Sequence, residues 1–224
     1  MAATSRGKYP PKFNGLLFTT DADTRMWGSQ YWWWNEQTMY RALPAANHLE
    51  LMHPVFNLYS NMFEAQKRAA RQQWGCEGIW LAETLSFDGM ERLPEYLVED
   101  LQDFMYERKK FEETSPVFQE FVKNRHPFQS RWNFLEVTGE KVRKTAPYGY
   151  AVHLFSSGVK IAYLYWQYYE YSLDEDWLKE RAYPMLRGIA EFYRTFPNFR
   201  KGNDGIYHIH NVNSHECIWG GQDT

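Results

Sequence analysis

Pro54-Val-Phe-Asn-Leu-Tyr-Ser-Asn-Met-Phe-Glu-Ala-Gln-Lys-Arg-Ala-Ala-Arg-Gln-Gln-Trp74 decides the fold class. Val55, Leu58, Tyr59, Met62 and Phe63 recur at three- and four-residue spacing, which puts them on one face of a helix. Pro54 suits the first turn, where its missing N–H costs nothing. Gly75 stops the helix, and Gly75-Cys-Glu-Gly78 turns the chain into a loop, Ile79–Gly89. Working outward, the same reading predicts helices over about Tyr31–Leu43, Pro94–Lys110, Pro116–Lys123 and Ser157–Tyr171. In the last of these Val159, Ala162, Tyr163, Trp166 and Tyr169 supply the periodic apolar set. A short helix follows near Asp174–Arg181. Pro184 opens another, with Met185, Leu186, Ile189, Tyr193 and Phe196 as its buried stripe and Pro197 at its end. Gly202-Asn-Asp-Gly205 then makes a tight turn into the strand-like alternation Ile206–His210. Residues 1–30 read as an extended, turn-rich leading segment: Pro10-Pro11 favours extended backbone, Leu16–Thr20 is a short candidate strand, and Asp21-Ala-Asp23 signals a turn. Between Asn124 and Pro147 periodicity is weak, and Lys141-Val-Arg-Lys144 marks an irregular excursion with a solvated charged face. The expectation is a mostly α protein.

Composition narrows the function. The chain has 224 residues, a formal net charge of −3 and an aromatic content of 18%. Its Lys and Arg are scattered rather than striped, which argues against a nucleic-acid partner. No apolar run approaches the roughly 18 residues of a membrane-spanning helix. The segment Met1–Pro10 has no apolar core of signal-peptide type, so the compartment stays unassigned. Cys76 and Cys217 are too few for a disulfide framework, and two unpaired thiols are expected. There is no GxxxxGK[ST], no GxGxxG after a strand and no GxSxG elbow, so phosphate-loop, dinucleotide and serine-hydrolase chemistries lack their signatures.

The unusual residues gather in loops. Asn211-Val-Asn-Ser-His-Glu-Cys-Ile-Trp-Gly-Gly-Gln-Asp-Thr224 sets a carboxylate among Asn, His and Trp. Partial burial beside His215 and Trp219 would raise the carboxyl pKa of Glu216 toward neutrality and suit it to donate a proton to a leaving group. Three consecutive tryptophans on a helix point in three directions, so at least one of Trp32, Trp33 and Trp34 is expected to border a cleft. Flat apolar faces beside Asn35 and Gln37 are what a sugar ring with hydroxyl edges asks for, although helix surface and ordinary packing explain the same residues. Glu83 reads as a partner for Glu216, a grip on a hydroxyl, or a solvated charge. His153 is a candidate for the rim or a structural histidine. His208, His210, His215 and Glu216 resemble a metal-ligand set, but the spacing to Glu216 and the helical context argue against it, so neither metal nor organic cofactor is expected.

Several motifs in order resemble the 1,2-α-L-fucosidases, glycoside hydrolase family 95. These are Asn14-Gly-Leu, Trp27-Gly-Ser-Gln-Tyr31, Asn35-x-Gln37 against the family's Asn-x-Asn-x-Gln, and Ala46-Asn-His-Leu-Glu-Leu-Met-His-Pro54. Gly158 through Phe192, with Tyr168-Tyr-Glu-Tyr-Ser and Ala182-Tyr-Pro-Met-Leu-Arg-Gly-Ile-Ala-Glu-Phe192, is similar to that family and to disaccharide phosphorylases sharing its barrel. The resemblance is patchy over 90–147. Trp33 stands where the family has its first Asn, and His215 stands where the phosphorylases have Asp. The resemblance implies a barrel of six helical hairpins, of which residues 31–224 would form the N-terminal part after the leading segment 1–30. It implies a glycosidase of α-linked sugars such as fucosides or galactosides, acting with inversion, its second catalytic carboxylate expected downstream of Thr224. It makes Glu216 the general acid, with Trp33, Trp34, Asn35, Gln37, Glu83, His153, Asn213 and His215 around an oligosaccharide or polysaccharide. A phosphorylase and a non-catalytic glycan binder are the alternatives.

Overall fold

A computed structural model describes residues 6–12, 31–123, 152–213 and 221–222. Within them the protein is mostly α. Tyr31–Trp32 form a two-residue strand, β1, which runs into helix α1, Trp33–Tyr40. A 3-10 turn at Leu49–Met52 leads into α2, His53–Asn61, with Pro54 in its first turn. The helical path expected over 54–74 is present but is not one helix. It breaks at Met62 (φ −98°, ψ 11°), resumes as α3, Phe63–Ala69, and finishes in a π turn, Ala70–Trp74. Gly75 ends it in the left-handed region (φ 64°), its N–H returning to Ala70 and Arg71 carbonyls. A helix commonly ends this way, because glycine adopts this conformation without a Cβ clash.

Thr84–Leu85 form β2, antiparallel to β1 with Tyr31 opposite Leu85 and Trp32 opposite Thr84. The third expected helix is shorter than its pattern, α4 covering Val98–Met105 after a 3-10 turn at Glu95–Leu97. Helix α5 is Pro116–Lys123. Residues 124–151, which include the weakly periodic stretch Asn124–Pro147, lie outside the described residues, as do the candidate strand Leu16–Thr20 and Cys217. Helix α6, Ser157–Ser172, is followed by a single turn α7, Glu175–Trp177, capped by Asp174, whose carboxylate accepts the Trp177 N–H at 2.9 Å. A π turn, Leu178–Ala182, continues into α8, Tyr183–Thr195. Gly158 at the start of α6 lies against Ile189 and Tyr193 near the end of α8, so the two helices form an antiparallel pair.

The buried face of α6 differs from the expected apolar set. Ile161, Leu164, Tyr165 and Tyr168 face inward, while Val159, Tyr163 and Trp166 are exposed. Tyr165 explains the choice: its hydroxyl donates to the Phe56 carbonyl and meets Ser60, and its ring packs on Phe56 and Trp177. A second aromatic cluster centres on Trp74, ringed by Trp80, Tyr106, Phe155, Phe192 and Phe196. Burial of such side chains, at about 25 cal/mol per Å² of apolar surface, is what holds the helices together. Cys76 is a free, buried thiol at this junction, its Sγ contacting Trp74 O, Tyr106 Oη and Thr195 O. Strands β3 (Phe199–Lys201), β4 (Tyr207–Val212) and β5 (Gly221–Gln222) form a small antiparallel sheet after α8. Among the described residues no helix is long and apolar enough to cross a membrane.

Candidate active site

Glu83 joins the start of α1 to the continuous stretch 152–157. The first amides of a helix have no intrahelical acceptor, and Glu83 supplies two of those at the start of α1. Its backbone carbonyl accepts the Trp33 N–H at 3.0 Å, and its carboxylate accepts the Trp34 N–H. The same carboxylate accepts the hydroxyl of Ser157, the first residue of α6. Negative charge at a helix N-terminus is electrostatically favoured, so one buried side chain ties two helix starts together. The Glu83 N–H donates to Val152 O at 3.1 Å, which adds the segment 152–156. Phe155 N then donates to Asn213 O at 2.9 Å, Leu154 bridges Asn213 in parallel, and the Tyr193 hydroxyl donates to Phe155 O.

Asn213 directly follows β4, three residues before Glu216. Glu216 and His215 lie outside the described residues. Both feet of the 214–220 connection are described: Asn213 joins Phe155, and Val212 pairs with Gly221 across β4 and β5.

The other expected site residues divide into two groups. Trp34 and Asn35, at the start of α1, are exposed, and Lys160 Nζ sits 4.9 Å from the Trp34 ring centroid in a cation–π contact. Trp33 is buried edge-on against Tyr59 with centroids 6.0 Å apart. Gln37 is also buried, and its amide is engaged by Trp34 O at 3.2 Å and by Arg41 at 2.9 Å. His153 is fully buried rather than at a rim. It pairs with Gln73 at 2.6 Å and stacks on Trp80 at 4.8 Å. Asn213 is buried at the seam. The Glu83 carboxyl is 1% exposed as a residue, so its position is beneath Trp34 rather than on a solvated loop.

Two residues at the seam were not singled out from sequence. Ser157 carries a helix-start signal, a hydroxyl ahead of an apolar run, but nothing local points to Glu83, seventy-four positions away. Glu36 is the other. It shares the buried face of α1 with Trp33, Gln37 and Tyr40, and neither carboxyl oxygen has a hydrogen-bond partner of good geometry. Burial pushes its pKa well above the ordinary carboxylate value, nearby Glu83 adds to the rise, and the Trp32 backbone opposes it. Desolvation thus favours the protonated, uncharged form of Glu36. Among the described residues no three His, Cys, Asp or Glu side chains gather as a metal site. His208 instead pairs with Asp204 at 3.1 Å and stacks on His210.

Residues 126–220 match the glycosyl hydrolase family 95 catalytic domain. The match spans less than half of the chain and marks a similarity to that family. Over 81 residues the chain is also 35% identical to the kojibiose hydrolase of Flavobacterium johnsoniae, a match covering 36% of this chain and 11% of that protein. The family 95 stretch takes in α6 to α8, the hairpin and Glu216, and it begins where motifs were least legible. The motif-bearing region Pro11–Gly89 lies outside it, yet Glu83 stitches that region to the family 95 stretch through Val152 and Ser157.

Proposed function

We propose that this chain contributes the proton-donating side of a glycosidase active site acting on α-linked sugars. What carries the reading is that Glu216 falls within the family 95 match, three residues after Asn213, which bonds to Phe155 in the segment that Val152 ties to Glu83, the residue that also holds the start of α1 with its exposed Trp34 and Asn35. Trp34 presents an apolar ring face to a sugar, and Asn35 an amide to its hydroxyls. Glu216 protonates the glycosidic oxygen as the bond breaks. A second carboxylate on the opposite face activates water, the inverting arrangement, which needs about 6.5–9.5 Å between carboxyl groups. Glu83 acts as a positioning residue: it holds the start of α1, and with it Trp34, rather than reaching the substrate. Fucosides and galactosides are the first substrates to test, and the relative's name adds kojibiose.

The test is Glu216→Gln in the full-length enzyme. Turnover of natural glycosides should fall by roughly 10²–10⁴-fold, the usual contribution of a positioned general acid. A dinitrophenyl glycoside, whose leaving group departs without a proton, should lose much less. Equal losses on both substrates would assign Glu216 a binding or structural role, and unchanged turnover would remove it from the mechanism.

A further inference from the structure

Away from the Glu83 seam, α3 and α8 enclose a depression of about 500 Å³, within the range of about 300–1,000 Å³ typical of small-molecule pockets. Phe63 and Lys67 line it from α3, spaced four residues apart on one helix face. Tyr183, Arg187 and Glu191 line it from α8 at the same spacing, and Glu77 lines it from the connecting turn. That turn is pressed onto α8. Gly78 adopts φ +74°, a Cβ there would lie 2.2 Å from Gly188 O, and Ile79 N donates to the same carbonyl at 2.9 Å. The floor is thus backbone against backbone, which keeps the two helices at a fixed separation. Ile189 and Tyr193 of α8 meet the start of α6, so the depression and the seam use different sides of α8.

The charges in the depression do not cancel. Arg194 holds Glu191 through two hydrogen bonds, one of them at 2.8 Å, and keeps its carboxyl below the ordinary value. The side chains of Lys67, Glu77 and Arg187 have no hydrogen bond or ion pair among the described residues. With Arg194 counted, three cations (Lys67, Arg187 and Arg194) stand against two carboxylates (Glu77 and Glu191) among the described residues, Arg187 also helping to lower the Glu191 pKa. Beside them, Phe63 and the exposed Tyr183 offer apolar ring faces.

We propose that this depression is a second saccharide-binding site, selective for a sugar bearing a carboxylate, with the ring on Tyr183 and the carboxylate on Arg187 and Lys67. Arg187 suits the acid group because a guanidinium takes a carboxylate through two parallel hydrogen bonds. The choice of a saccharide rests on the glycosidase reading. The two are tested apart, since hydrolysis is read at Glu216 and binding at α8.

The intact chain is titrated by calorimetry with D-glucuronate, D-glucose and acetate. Glucuronate should bind saturably, with glucose and acetate each at least about tenfold weaker, the cost of losing a charged hydrogen bond or the ring contact. Arg187→Gln and Lys67→Gln, both at exposed positions, should each weaken glucuronate about tenfold while leaving the melting temperature unchanged. Absence of saturable glucuronate binding, binding of glucose or acetate as tight as glucuronate, or variants that bind as the parent does would each overturn the proposal.

Discussion

Glu36 and Glu83 show how two buried carboxyl groups take opposite parts. Glu83 accepts the Trp34 amide and the Ser157 hydroxyl, whereas Glu36 is buried without a well-formed hydrogen bond among the described residues and desolvation raises its pKa. Because the folded-state pKa of Glu36 is raised, its compatibility with the fold is complete below the unfolded value and is lost as pH rises through the folded one. Glu36→Gln keeps the neutral shape, so its melting temperature should fall less than the parent's as pH is raised; parallel curves of melting temperature against pH would refute this. Glu83→Gln weakens both charge-assisted bonds. It should lower stability by about 1–3 kcal/mol, read by urea unfolding, and in the full-length enzyme should raise KM more than it lowers kcat if its role is to position Trp34. That the tryptophans would not all be buried was legible in the sequence, because three adjacent tryptophans cannot all face one core, and Trp34 is the exposed one. His153 was not: its partner Gln73 lies eighty positions away, and spacing along the chain does not reveal such a pair.

Periodicity in the sequence reports which side chains share a face, not how the backbone is bonded. The run from Pro54 to Trp74 has one apolar face throughout, so it reads as one helix, and the break at Met62 and the terminal π turn leave no trace in that pattern. In α6 the reverse occurs. Both faces are rich in aromatics, periodicity fits either, and Tyr165 decides the matter by hydrogen-bonding to α2. Glycine punctuation is more informative, and Gly78 makes the sharpest case. Its positive φ and the 2.2 Å approach to Gly188 O leave no room for a methyl group. Gly78→Ala should cost about 2–3 kcal/mol in denaturant unfolding, because backbone rather than a movable side chain stands in the way. A change within about 0.5 kcal/mol would mean that the turn can separate from α8.

At the scale of the molecule, the mostly α architecture was legible from helix starts and stops, while the small strands were not, because two-residue pairings such as β1 with β2 carry no alternation to read. The outward face of α6 presents Val159, Tyr163 and Trp166 to solvent, at 54%, 60% and 42% exposure. Contiguous exposed apolar surface of this kind attracts hydrophobic probes. The chain should therefore bind ANS, and Val159→Lys with Tyr163→Lys should reduce the signal without lowering the melting temperature; undiminished dye fluorescence would place the probe elsewhere. Cys76 has a different use. Burial pushes its thiol pKa up to about 11, with Tyr106 and Thr195 contacts opposing, and only the thiolate reacts readily. Three structural endings close over the sulfur, those of the π turn, α4 and α8. In a Cys217→Ser background, its alkylation rate is then a clock: reaction advances only in the instants when those endings part, and the rate measures how often the native molecule breathes.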